Sequence, residues 1–213
     1  MLLASGAGRS AGQRPPAPAD SFADLAAALQ APARVRILTL RGALGSLPPQ
    51  IGRLPNLETL VLDRTDLAAL PPEVANLKRL KVLYLGGNPH LDLDKTFALL
   101  ASLPTLERLG LDDNALTAVP PGVGALKTLR ILSLSRNQLR WLPPELARLT
   151  ALGSLNLVQN EFADLPDVLT RLPRLKTVYV SGNLIDSERA TRFRRKAPQV
   201  SVSWHVQDQP YFH

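Results

Sequence analysis

One spacing constrains this chain more than any other property. Leu103, Leu126, Leu149 and Leu172 stand 23 residues apart, and each is followed three residues later by another leucine: Leu106, Leu129, Leu152 and Leu175. The register runs back to Leu54/Leu57 and Leu77/Leu80, again 23 apart. The unit that starts at Leu126 reads LKTLRILSLSRNQLRWLPPELAR. A fixed period of this length means that one supersecondary unit is repeated. No single unit can hide its apolar faces from water, so neighbouring units must stack.

Within the unit, Leu132-Ser133-Leu134 alternates with period two, which points the leucines inward and the residues between them to solvent. Asn88, Asn114, Asn137, Asn160 and Asn183 recur at one position, and Thr65 holds it in the first full unit. Pro71, Pro120, Pro143 and Pro166 then stop any strand, because proline brings no N–H to a ladder. Hydrophobic residues make up 45% of the chain but aromatics only 5%, so the core is expected to be aliphatic.

The skeleton L-x-x-L-x-L-x-x-N-x-L resembles the leucine-rich-repeat family, in its intracellular-type or bacterial form, over about residues 33–185. The resemblance implies an α/β fold: a right-handed solenoid with a curved parallel β-sheet on its concave face. It also implies that Thr65, Asn88, Asn114, Asn137, Asn160 and Asn183 form a structural ladder that bonds the backbone of neighbouring turns. A hydroxyl keeps only part of that bonding, so Thr65 is expected to be a weaker rung.

Stacked coils need caps at both ends. At the first, Phe22, Leu25 and Leu29 recur at helical spacing, which predicts a cap helix over Asp20–Gln30 started by Asp20 or Ser21. At the other, Asp186–Lys196 reads as a polar helix ended by Pro198, and Val200, Val202, Trp204 and Val206 alternate as an edge strand. This stretch resembles the terminal helix-then-strand of bacterial members of the family. The expected organisation is a disordered segment over 1–19, a cap helix and degenerate first repeat over 20–53, repeats over 54–185, and a cap helix, edge strand and tail over 186–213. The unit at Leu77 is irregular: it needs 26 residues to reach Leu103 and has no Leu-Pro step, so a short helix is expected after Leu93 or Asp94.

The chain offers little for catalysis. With no cysteine there is no thiol nucleophile or cysteine-ligated metal. His90, His205 and His213 have no partner at a recognised metal spacing, and no nucleophile elbow occurs. Met1–Ala19 is rich in Gly, Ala, Ser and Pro and makes neither a convincing secretory signal nor a phosphate loop. No catalytic, cofactor-binding or metal-binding residue is assigned, and no small-molecule substrate is expected. The net charge of +7 is uneven: +4 over residues 1–53, −3 over 54–125 and +6 over 126–213. Its densest run is Arg189, Arg192, Arg194, Arg195 and Lys196.

The concave sheet remains. Its candidate partner-binding residues, by register, are Arg41, Val61, Asp63, Tyr84, Arg108, Asp112, Ser133, Asn156 and Tyr179, a chemically mixed set of the kind that suits a protein partner. The leading reading is therefore a non-catalytic protein-interaction module acting as a monomer on an unidentified protein. The alternative is a binder of nucleic acid or a membrane surface through the basic C-terminal third. A third reading, the targeting part of a bacterial effector, lacks a catalytic stretch beside the repeats. Trp141 is expected to pack along the convex edge, and Trp204 to join the core. Without cysteine-flanked caps or a glycosylation sequon, the cytoplasm is the default compartment, and export from a bacterium is the alternative if the start is internal.

Overall fold

The computed structural model of the protein describes residues 20–204. The expectations for residues 1–19 and for 205–213, including His205, Val206 and His213, lie outside the described residues.

Among the described residues, nine strands form one parallel sheet in strict chain order. They are β1 (Ser21–Phe22), β2 (Ile37–Thr39), β3 (Thr59–Val61), β4 (Val82–Tyr84), β5 (Arg108–Gly110), β6 (Ile131–Ser133), β7 (Ser154–Asn156), β8 (Thr177–Tyr179) and β9 (Ser201–Ser203). The middle residues pair in one row: Leu38, Leu60, Leu83, Leu109, Leu132, Leu155, Val178 and Val202. Every one of them is buried. Leu62, Leu85, Leu111, Leu134 and Leu157, two residues further along their coils, are at most 1% exposed. Their N–H groups donate to the next coil, as Leu134 does to the Asn156 carbonyl at 2.9 Å. The fold is a leucine-lined solenoid, and the face of the sheet turned away from the core is its concave face.

The prolines set the opposite side. Pro48, Pro71, Pro120 and Pro143 are extended and lead into 3₁₀ turns that begin with a second proline, at Pro49–Arg53, Pro72–Asn76, Pro121–Ala125 and Pro144–Arg148. A proline at the first helical position loses no bond, and its fixed φ suits the turn. Each of these turns buries one aliphatic side chain: Ile51, Val74, Val123 or Leu146.

In the long coil, an α-helix replaces the 3₁₀ turn: α2 (Leu93–Leu100), following α1 (Leu25–Gln30) in the chain. Asp92 caps α2 by accepting the Lys95 N–H at 3.0 Å, and Leu93, Phe97 and Leu100 turn into the core.

The first end differs from its expected form. Ser21–Phe22 is not helical: it pairs with Ile37–Leu38 as the outermost strand, because the Asp20 carbonyl accepts the N–H groups of Arg36 and Ile37. The helix is only α1, capped by Asp24, whose carboxylate accepts from Ala26 and Ala27. At the other end, α3 (Ser187–Lys196) is capped by Asp186, buries Ala190 and Phe193, and leads to β9.

Candidate functional site on the concave face

The asparagines fix the coils one upon another. The Asn137 amide donates to the carbonyls of Leu134, in its own coil, at 2.9 Å and of Leu111, one coil back, at 3.0 Å. Its oxygen accepts the N–H groups of Asn114 and Leu116, both at 3.0 Å. Asn88 bonds Leu62, Leu85, Thr65 and Leu67 in the same way. Asn160 and Asn183 also reach back one coil, to Leu134 and Leu157. Asn114 donates to Leu85 and accepts from Asn88. The Thr65 hydroxyl donates to Leu62 in its own coil at 2.6 Å and also meets the Asn88 oxygen at 3.2 Å, so it makes no bond to the preceding coil. These bonds satisfy backbone groups that the turn leaves inside the molecule.

The concave face is built on this frame. Arg41 and Asp63 are exposed, whereas Val61, Tyr84, Arg108 and Asp112 are half-buried. The Tyr84 ring lies over Gly110, its partner on the neighbouring strand. The Asp63 carboxylate accepts the Gly86 N–H at 2.7 Å, one coil on. Desolvation in the hollow of the sheet is the main cause that raises the Asp63 carboxyl above the usual aspartate range, and the nearby Asp112 charge adds to it. The Gly86 N–H, Arg64 and Arg41 oppose the rise.

Three of the expected contact residues are largely covered in the fold. Ser133 and Asn156 are 1% exposed and Tyr179 is 7% exposed, so they offer a partner little surface. Ser133 and Asn156 are held in a polar chain across three coils. Asn156 donates to the Ser133 hydroxyl at 3.0 Å, Ser133 donates to Asp112, and Asp112 also accepts the Ser135 N–H and hydroxyl, both at 2.7 Å. Spacing in the sequence places a residue on a face, but it does not say whether a neighbour covers it.

Trp141 is the reverse case. It is 52% exposed rather than packed. It borders a groove of about 700 Å³ beside Leu142, Pro144, Leu165, Pro166 and α3. Trp204 is partly buried against the core.

Electrostatics divides the basic C-terminal third. In α3, Arg189 is paired with Asp186, Arg192 with Asp164 and Lys196 with Asp167, and Phe193 is buried. A separate charge ladder runs along the lateral edge of the sheet, just before each strand, and net-charge reasoning does not find it. Arg36, Glu58, Lys81, Glu107 and Arg130 are joined in that order by backbone bonds of 2.8–2.9 Å. Their side-chain charges alternate. Arg36 and Lys81 both pair with Glu58, and Arg130 pairs with Glu107. The hydrogen bond from Lys81 leads in holding Glu58 below the usual glutamate range. Among the described residues no group of three His, Cys, Asp or Glu could hold a metal ion, and no helix is long and apolar enough to cross a membrane.

Comparison with known proteins agrees with this geometry. A family model described as leucine rich repeat matches residues 104–162. No curated protein matches the sequence. Among solved structures, the chain is similar to a leucine-rich-repeat protein of Leptospira interrogans, at 22% identity and TM-score 0.45, covering 80% of this chain and 61% of that one. It is similar to a chain of the plant peptide hormone receptor RGFR1 in complex with RGF2, at 22% identity and TM-score 0.57, covering 86% and 30%. A third similarity is to a chain of the Drosophila Toll–Spatzle complex, at 21% identity and TM-score 0.63, covering 79% and 23%. The chain thus spans less than two thirds of each of these proteins. The family match stops at residue 162, but one rung of inward leucine or valine continues from Leu38 to Val202, so the chain folds as a leucine-rich-repeat solenoid along that whole length.

Proposed function

We propose that the protein is a non-catalytic interaction module that holds a protein partner on its concave face, around Tyr84. The observation that carries this reading is the seating of Tyr84: a half-buried aromatic ring fixed over Gly110, with Arg108 following Glu107 on the next coil and Asp63 two residues beyond Val61. Tyrosine and arginine are enriched among residues that dominate binding energy. A ring already held in place loses little freedom on association. The reachable set is Arg41, Val61, Asp63, Tyr84, Arg108 and the open side of Asp112. Two solved neighbours of the fold come from complexes with a second polypeptide, RGF2 in one and Spatzle in the other, which supports a protein as the class of partner. The alternative reading through α3 is weaker, because Arg189, Arg192 and Lys196 already have acidic partners and Phe193 is not available for stacking.

The test is affinity capture from the native source with the parent chain and with Tyr84→Ala combined with Arg108→Ala. The proposal expects the double variant to lose the captured partner while its melting curve stays with the parent's. Undiminished capture by the double variant would overturn it.

A further inference from the structure

The lateral charge ladder has one missing rung. After Arg130 the ladder continues through Gly153 to Lys176. The Gly153 N–H donates to the Arg130 carbonyl at 2.8 Å, and the Lys176 N–H donates to the Gly153 carbonyl at 2.9 Å. Alternation calls for an acid at this rung, and the chain has no side chain there. The omission is not forced by the backbone. Gly153 has no positive φ, and a Cβ added to it would meet only the carbonyls of Arg130 and Arg174, at 3.7 and 3.8 Å, which is ordinary contact.

The omission leaves a cationic gap. Arg130 has an acid on one side only, Glu107 at 3.5 Å, and is 63% exposed. Lys176 and Arg174 are exposed, and no ion pair is shown for either among the described residues. Adjacent strands lie about 4.8 Å apart, so Arg130 and Lys176 flank the gap at roughly twice that distance, within reach of one carboxylate between them. We infer that the gap at Gly153 is a docking site for an acidic, extended segment of a protein partner, which sets a Glu or Asp carboxylate between Arg130 and Lys176. Charge complementarity favours this occupant: the same position elsewhere in the ladder holds Glu58 between Arg36 and Lys81. A nucleic acid is disfavoured, because no aromatic lies on this row to stack a base and the gap is a single residue wide.

The probe is a fluorescein-labelled peptide of alternating Glu and Ser, titrated with the full chain at low salt and followed by anisotropy. Gly153→Glu, which supplies the missing rung, is expected to weaken binding by roughly ten-fold or more and to raise the melting temperature. Gln50→Glu adds the same charge on an exposed turn at the other end and is expected to change affinity less than about two-fold. Arg130→Ala with Lys176→Ala is expected to lose the peptide as well, which keeps the test decisive if the glutamate variant folds poorly. Equal weakening by Gly153→Glu and Gln50→Glu would overturn the inference, since the peptide would then be reading net charge. So would equal or tighter binding of an oligothymidylate of the same length, lost in the same variants. Because the site lies off the concave face, failure here leaves the Tyr84 reading standing, and failure there leaves this one.

Discussion

Tyr84 rests on Gly110: a Cβ at residue 110 would stand 2.7 Å from the Cδ1 of the tyrosine ring. The two residues face each other on β4 and β5. Gly110 is itself buried, so its lack of a side chain matters to what covers it rather than to solvent. Gly110→Ala is expected to cost about 1–3 kcal/mol by overpacking, read from urea unfolding. It should also shift the near-ultraviolet circular dichroism of the tyrosine and weaken partner capture, although residue 110 is not itself among the reachable contacts.

The ladder makes a graded prediction. Asn137→Ala removes an amide that bonds five backbone groups, three in the preceding coil (Leu111, Asn114 and Leu116) and two in its own (Leu134 and Ser135). A loss of about 2–4 kcal/mol is expected, because these groups stay inside the molecule without partners. Thr65→Ala breaks a hydroxyl that donates within its own coil, and about 1 kcal/mol is expected. Urea midpoints for the two variants check the order.

The raised Asp63 carboxyl sets the sign of one pH dependence. Its carboxyl has a raised value in the fold, so the folded chain binds a proton more readily than the unfolded one. Its ionisation therefore costs stability as pH rises from the ordinary aspartate value through the raised one. Asn keeps an oxygen for the Gly86 N–H and carries no charge. Asp63→Asn should melt above the parent at pH 7, and the difference should shrink as pH falls below the ordinary aspartate range. A difference that grows on acidification would contradict the assignment.

Two glycines should respond in opposite directions. Gly87 has φ of 67°, and a Cβ there would lie 2.4 Å from the Arg64 Cγ. That side chain passes over Gly87 to meet Asp113, two coils on, at 3.4 Å. Gly87→Ala is expected to destabilise by about 1–2 kcal/mol from the backbone alone. Gly153→Ala adds a methyl in open contact at an ordinary φ and is expected to be neutral or to stabilise by up to about 1 kcal/mol. Thermal melts of the pair decide.

The leucine register and the proline stops were legible because both are strictly local: period two places Leu132 and Leu134 inside, and Pro143 has no N–H to continue a strand. Other features depend on what a neighbouring coil supplies. Ser21–Phe22 became a strand because Arg36 and Ile37 offered N–H groups to Asp20, and helical spacing of Phe22, Leu25 and Leu29 cannot report that. Ser133 and Asn156 fell on the expected face, yet Asp112 and each other's polar atoms took them out of reach. Trp141 stood clear because the turn at Pro144 and α3 left a groove beside it. The charge ladder was present at a fixed offset before each strand, but summing charges by segment hides alternation along a row.

A photo-reactive phenylalanine analogue placed at residue 84, with a second chain carrying it at Glu145 on the opposite side, tests the central claim most directly. In extract from the native source, position 84 is predicted to crosslink the protein that the parent chain captures, and position 145 is predicted not to. Crosslinks to that protein from 145 and none from 84 would contradict a concave binding face.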